Sequence, residues 1–322
     1  MRKILLTLIG LTAVIVAVFC SYSSAFGKPA ARHIPVAVSA SPAVLARLET
    51  LPAIRVYRAR DLAVARRMVE DRAVDGGLVL PGTGRATLVV AGGGGHAVEA
   101  VLAQLGQRAA GTALSTVDVA PTSPFDPNGS VEFYCVVFLG IGAAAGATVL
   151  ARIGGPAARL RGALGRLGLV TVLTALLSAA VTLFTDVVYG ALAGHFWFLF
   201  LILWLYAAAV CLAITGFAEL AGPRASLVLV GLFIVFGNTS SGGAVPRPLL
   251  DGFFAALNPL LPQGAALSAL RGVQYFGGRG IGTGLLGLTI WAAAGLALLG
   301  AAGLRASRHR PAATGAATLA RA

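Results

Sequence analysis

Apolar residues run in long unbroken stretches over most of the chain, and a shorter alternating pattern replaces them only between about residues 33 and 120. A membrane helix needs about 20 mostly apolar residues to cross about 30 Å of hydrocarbon. Six spans are predicted on that rule, roughly 4–22, 131–151, 167–190, 196–217, 219–240 and 284–304. The fifth is short, since its uncharged stretch from Ala225 to Gly237 extends only about 20 Å at 1.5 Å per residue. Either Glu219 and Arg224 snorkel to the surface, or Asn238 to Gly243 lies at membrane depth, where polar irregular backbone must be buried in protein or line a wet cavity.

The alternating region reads as strands at Ile34–Val38, Ala53–Tyr57, Gly77–Leu80, Ala86–Val90 and Ala113–Val119. Ser41-Pro42 and Asp61 each start a helix, a third helix begins at His96, and Gly82-Thr83-Gly84 fits a hairpin. The order β, α, β, α, β, β, α, β suggests a small α/β domain, similar in fold alone to half of a bilobal binding protein. Ala91 to His96 carries four glycines between a strand and a helix, a flexible turn or a place where backbone N–H groups hold an anion. A proline-rich linker, Pro121 to Gly129, leads back to the apolar runs and stiffens the connection.

The predicted fold class is therefore an α-helical polytopic membrane protein, six transmembrane helices with a small α/β extracytoplasmic domain inserted between helices 1 and 2. Its parts are an N-terminal span (1–22), the extracytoplasmic domain and linker (23–130), a five-helix membrane domain (131–304) with an outer re-entrant segment at about 238–283, and a basic tail (305–322). The first span also has the look of a signal peptide, with Ser23-Ser24-Ala25 as a possible cleavage site.

Composition sharpens this picture. The 322 residues are 57% apolar and 11% charged, which excludes a purely soluble enzyme. The formal charge of +13 does not indicate nucleic-acid binding, because the basic residues are spread along the chain instead of being gathered on one soluble face. Arg2, Lys3, Arg152, Arg159, Arg161, Arg166, Arg224, Arg305, Arg308, Arg310 and Arg321 all fall on one side of a six-span arrangement. The positive-inside rule then places both termini in the cytoplasm.

Enzymatic motifs are missing. A P-loop needs a Lys after its glycines, and the only lysines are Lys3 and Lys28. Zincin and nucleophile-elbow motifs are also lacking, and the three cysteines and four histidines show no ligand spacing, so no metal site is expected. Glu132 and Asp186 fall near the outer ends of their spans, as interfacial anchors or as members of a substrate path, with Asp186 the deeper of the two. Gly142 and Gly146 form a small-xxx-small face that suits close helix packing, within the subunit or in a dimer.

Several segments resemble the phage infection protein (YhgE/Pip) group of the ABC type-2 exporter permease superfamily. They are Asp75-Gly76-Gly77-Leu78-Val79-Leu80-Pro81, Gly237 to Pro246, Asn258-Pro259-Leu260-Leu261-Pro262 and Ala269-Leu270-Arg271, set in the layout of one span, an external domain and five spans. The resemblance implies a permease subunit in a bacterial cytoplasmic membrane, with ATP bound by a separate cytoplasmic ATPase subunit and no cofactor in this chain. It also implies a second permease subunit, identical or different, and a hydrophobic or amphipathic cargo. Asp186, Asn238, Ser240, Ser241 and Arg271 become candidates for the substrate path, while Arg152, Arg159, Arg161 and Arg166 would face the ATPase. Unlike many such exporters, only Met1, Arg2 and Lys3 precede the first span here. The competing expectation is a receptor or scaffold whose external domain binds an envelope or secretion partner.

Overall fold

The computed structural model describes residues 1–82, 85–111, 114–153 and 160–308. Five helices are long and apolar enough to cross a membrane, which marks a multi-pass membrane protein. They lie within α1 (Arg2–Phe26), α5 (Val131–Ile153), α6 (Leu160–Thr182, extended by a π-helical turn Leu183–Val188), α7 (Phe196–Ala221) and α11 (Gly282–Arg308). The fifth predicted span, 219–240, is instead a shorter apolar helix, α8 (Leu227–Ser240), roughly 20 Å long at 1.5 Å per residue. Gly222-Pro223 explains the late start: Gly222 takes φ 92, and the proline follows directly, so α7 ends and the chain re-forms a helix only after Ser226.

α7 is the central helix, with buried positions around its whole circumference from Leu199 to Ala218, and α5, α6 and α11 pack against it. Gly216 of α7 and Gly295 of α11 face each other so closely that a Cβ on Gly295 would meet the Leu212 and Ala213 backbone. Gly142 and Gly146 pack on Leu177 and Leu173 of α6, so this small-residue face is used within the chain. The outer surfaces of α1 and α6 remain apolar and exposed, as at Leu8, Ile15, Val172 and Leu176.

The α/β domain follows the predicted order. Strands β1 (Ile34–Ser39), β2 (Ile54–Arg58), β3 (Gly76–Val79), β4 (Thr87–Val90) and β5 (Ser115–Asp118) form one sheet in the order β2-β1-β3-β4-β5. All neighbours are parallel except β3 and β4, which pair antiparallel across a hairpin whose Thr83 and Gly84 lie outside the described residues. Alternation sorts the strand residues: Val36 and Val38 face α2 (Pro42–Glu49) and α4 (His96–Ala110), while Ala37 and Val89 face α3 (Leu62–Glu70). Asp61 caps α3 by accepting from the Val64 N–H at 2.8 Å. Ser41 precedes Pro42 as expected, yet its side chain makes no capping bond.

Beyond α8 come two shorter helices, α9 (Gly252–Leu257) and α10 (Pro262–Phe276). Pro262 opens α10 and Gly277, at φ 57, stops it. Leu249, just before α9, inserts into the core of the α/β domain. The domain, the C-terminal end of α8, α9 and α10 therefore sit together at one end of the bundle, opposite the end where Leu150, Arg166 and Glu219 meet and from which α8 starts.

Candidate functional site

The site is the junction where the α/β domain rests on α10. At its centre lies Arg271, with only 8% of its surface exposed. One terminal nitrogen donates to the backbone oxygens of Gly242 (3.2 Å) and Gly94 (3.5 Å), and the other to that of Gly129 (3.3 Å). A single guanidinium thus joins α10, the segment after α8, the glycine turn of the domain and the end of the linker. Three carbonyl dipoles partly offset the cost of burying the charge.

Glu132, at the start of α5, has no exposed surface, and neither of its carboxylate oxygens has a hydrogen-bond partner. Arg271 lies within electrostatic reach, and the Tyr275 hydroxyl comes close without achieving hydrogen-bond geometry. Asp126, also buried, accepts from the Val131 N–H (2.7 Å) and the Ser130 hydroxyl (3.1 Å), and so caps the start of α5. Arg271 is the cation that balances this pair of buried carboxylates.

A second arginine fastens the domain from the side. Arg72 follows α3 in the left-handed region, at φ 58, which turns its side chain across to α10. It donates to the Ser268 backbone oxygen (3.0 Å), the Ser268 hydroxyl (3.1 Å) and the Arg279 backbone oxygen (3.3 Å), and its guanidinium carbon lies 5.1 Å from the Phe276 ring centre. Gly272 and Gly280 leave it room, since a Cβ on Gly272 would come within 2.8 Å of a guanidinium nitrogen. Burial, and then the neighbouring charge of Arg271, push Arg72 below the usual arginine range, and Asp75 opposes them. Beside it Asp71 pairs with Arg279 at 3.3 Å.

Between these ties a cleft of about 720 Å³ opens, walled by β1, β2 and the glycine turn on the domain side and by α9, α10 and Pro246-Arg247-Pro248 on the other. Its lining holds five arginines, Arg32, Arg55, Arg72, Arg247 and Arg271, against two carboxylates, Asp75 and Glu99. Asp75 is enclosed by the cleft walls but still open to water. Enclosure pushes its carboxyl up to about 6, against the opposing charges of Arg72 and Arg247.

The candidate path residues separate into groups. Ser241 and Arg271 line the cleft, whereas Asn238 and Ser240 are buried behind it. The polar end of α8 is packed in protein: Ser21 of α1 bonds to Thr239 (3.0 Å) and to the Val235 carbonyl (3.1 Å), and Asn258 donates to the Ser240 and Ser241 carbonyls (2.7 and 2.9 Å). Gln263 donates to the Phe233 carbonyl at 2.9 Å, inside the π-helical turn Leu232–Gly237 of α8. Asp186 lies in the π-helical turn that ends α6, half-buried and with one unpartnered oxygen, and it does not line the cleft.

Of the two readings of the glycine turn the anion site falls away, and one expectation for the arginines needs correction. The glycine turn Gly92–Gly94 does not offer free N–H groups to an anion: Gly92 donates to Asp118, Gly93 to Ala120, Gly94 to Ala91 and Gly95 to Gly92. Its glycines serve close approach instead, since a Cβ on Gly93 would strike the Tyr275 ring. Arg166 does not face outward. It pairs with Glu219 at 3.1 Å, both side chains being 5–6% exposed, and donates to the Leu150 carbonyl at 2.8 Å. Arg152 is exposed, Arg159 lies outside the described residues, and the side chain of Arg161 does as well. Among the described residues no group of three or more His, Cys, Asp or Glu is placed to hold a metal ion.

Protein-family models, curated proteins and solved structures were compared with the chain, and none matches. The geometry of the junction is therefore the ground on which function is argued. Sequence reasoning had singled out Arg271 but not Arg72, Ser268 or Tyr275, whose roles depend on a docking between distant parts of the chain.

Proposed function

We propose that the chain is the membrane permease subunit of an ATP-driven exporter of the ABC type-2 kind, carrying a hydrophobic or amphipathic substrate. In this reading it pairs with a second permease subunit, of the same or another sequence, and with a separate cytoplasmic ATPase. It sits in a bacterial cytoplasmic membrane with the α/β domain outside and both termini inside, α8 and the buried polar segment after it making the sixth passage within the protein.

The observation that carries the reading is the build of α8. This helix is too short to cross alone, contains a π-helical turn, and ends in a buried polar segment tied to α1 through Ser21 and to the α9–α10 region through Asn258 and Gln263. A protein that only anchors an external domain needs one uninterrupted span. π-helical turns recur at functional positions, and a helix held by side chains from two neighbours suits two alternative packings.

Purification of the full chain from native membranes in mild detergent, with assay of whatever co-purifies, tests this reading. A stoichiometric ATPase whose turnover depends on the chain is the expected result. Its absence, repeated under crosslinking, rejects the reading. The receptor or scaffold reading gains from one observation, the burial of Arg166, which removes one of the arginines available for an ATPase contact.

A further inference from the structure

The cleft at the junction combines features that point to a ligand and not to packing. Its size lies in the range of small-molecule sites. Its positive charge exceeds what the fold itself consumes. Arg72 and Arg271 are occupied by backbone carbonyls, but Arg55 makes only a ring contact with Tyr57, at 5.6 Å, and has no hydrogen bond or ion pair among the described residues. Arg247 spends only its Nε, on the Ala255 carbonyl at 3.2 Å, which leaves both terminal nitrogens unused among the described residues. The Arg271 Nε is buried and unpartnered as well. Arg32 is paired with Asp251 at 3.4 Å, and the other four guanidinium groups, set against two carboxylates, attract an anion with several acceptor oxygens.

The cleft also has an apolar margin. Leu250, Gly252 and Ala255 contribute to its lining. Next to them Phe253 is 56% exposed and stacks edge-on against Phe236 and Phe254. A ligand held by Arg55 and Arg247 could leave along this aromatic edge without passing through the packed end of α8.

We propose that the cleft binds the net-anionic, phosphate-bearing headgroup of an amphiphile, as against a zwitterionic one, with Arg55 and Arg247 taking the phosphate oxygens, Arg72 and Arg271 supplying fixed positive charge behind them, and the apolar part emerging over Phe253. As the identity of the cargo this rests on the permease reading; as a binding site it does not. Asp75 is the opposing charge, so an anion binds more tightly when that carboxylate is removed.

The test uses the purified full chain in mild detergent. Short-chain phosphatidylglycerol, short-chain phosphatidylcholine and inorganic phosphate are titrated separately, and binding is read from the thermal midpoint and from deuterium uptake at residues 241–248. Phosphatidylglycerol is expected to bind selectively, and R55Q and R247Q each to weaken it about tenfold, as expected for loss of a charge-assisted hydrogen bond. R58Q, whose side chain pairs with Glu49 away from the cleft, serves as the control and retains binding. Inorganic phosphate matching phosphatidylglycerol in affinity, with the same sensitivity to R55Q and R247Q, assigns the phosphate to a soluble ester and removes the amphiphile from the proposal.

Equal affinity for phosphatidylcholine, or wild-type affinity in the R55Q/R247Q double variant, overturns the site. Both arginines are exposed, so folding of the variants is checked by helical circular dichroism; if the double variant does not fold, R55Q and R247Q alone decide. A site that binds without any ATPase partner leaves the inference standing and the permease reading rejected. An ATPase partner with no anion selectivity gives the reverse.

Discussion

The Arg72 guanidinium donates to both the backbone oxygen and the hydroxyl of Ser268, at 3.0 and 3.1 Å, and so couples the α/β domain to α10. A serine that offers two acceptors to one arginine fixes the orientation of the helix as well as its distance. This bond and the Arg271 hub hold the cleft open between them, one at its side and one at its floor.

Replacing Arg72 by Ala is expected to loosen the docking. Hydrogen bonds to charged groups contribute about 1.5–3 kcal/mol each, so the variant should lose a few kcal/mol of stability at most, since part of the guanidinium surface stays wet. Limited proteolysis should cut the 277–281 turn faster, with the bundle itself intact. An unchanged cleavage rate would show that Leu249 and the linker suffice for docking.

Arg271 and Glu132 form a testable pair. Arg271→Gln leaves Glu132 and Asp126 buried without their cation, and breaking such a balance typically costs about 3–5 kcal/mol. Glu132→Gln alone should cost much less, and the double variant should recover part of the Arg271→Gln loss. A double-mutant cycle on thermal unfolding reads the coupling directly; strictly additive losses would rule it out.

Asp75 gives a pH signature. Its carboxyl is pushed from 3.8 to about 6 in the folded chain, so between these values the folded state holds a proton that the unfolded chain has released. The contribution of this group to stability is therefore greatest below pH 3.8, declines as the pH rises to about 6, and is level above that. Asp75→Asn should abolish this part of the profile and raise the melting temperature at pH 7.5. It should also tighten anion binding above pH 6, where the wild-type carboxylate is charged and opposes an anion in the cleft. An identical profile in wild type and variant would remove Asp75 from the account.

The buried end of α8 can be probed with cysteines in a Cys20→Ser background, Cys20 being the exposed native thiol. Cysteines at Asn238 and Ser240 should resist a water-soluble thiol reagent, because both positions are buried. A cysteine at Ala244, which is exposed, should react. Rapid labelling at 238 would mean that water reaches the packed helix end.

The closeness of α7 and α11 predicts the response to bulk. Gly295→Leu would drive a side chain into the Leu212 and Ala213 backbone, which cannot give way as a side-chain tip can. The expected result is a protein that inserts in membranes but unfolds readily in detergent, whereas Gly300→Leu, with open space at its Cβ position, should be tolerated. Equal detergent stability of the two variants would contradict the observed crossing.

The α/β domain was legible in the sequence because one-face burial imposes alternation, and the strands at Ile34, Ile54 and Thr87 start within a residue of expectation. The long spans were legible for the parallel reason that lipid imposes length. The region 219–240 was read as a span, but Gly222-Pro223 breaks it and the apolar helix that follows is short, a feature that hydropathy alone blends into its neighbours. The junction was only half legible. Arg271 stood out as a charge in an apolar setting, while Arg72 looked like any solvated residue after a helix, and nothing local announces its left-handed backbone or its reach to Ser268.

The bonds that complete the junction join residues far apart in order of synthesis: Ser21 and Val235 are separated by 214 positions, Arg72 and Ser268 by 196. Contacts of such long range form late, because the chain between them must first be made and arranged. The α/β sheet closes from neighbouring segments, so it can assemble while most of the bundle is still on the ribosome. The cleft therefore comes into being last, as a late checkpoint of assembly, and a chain that inserts its helices in the wrong arrangement lacks it from the outset.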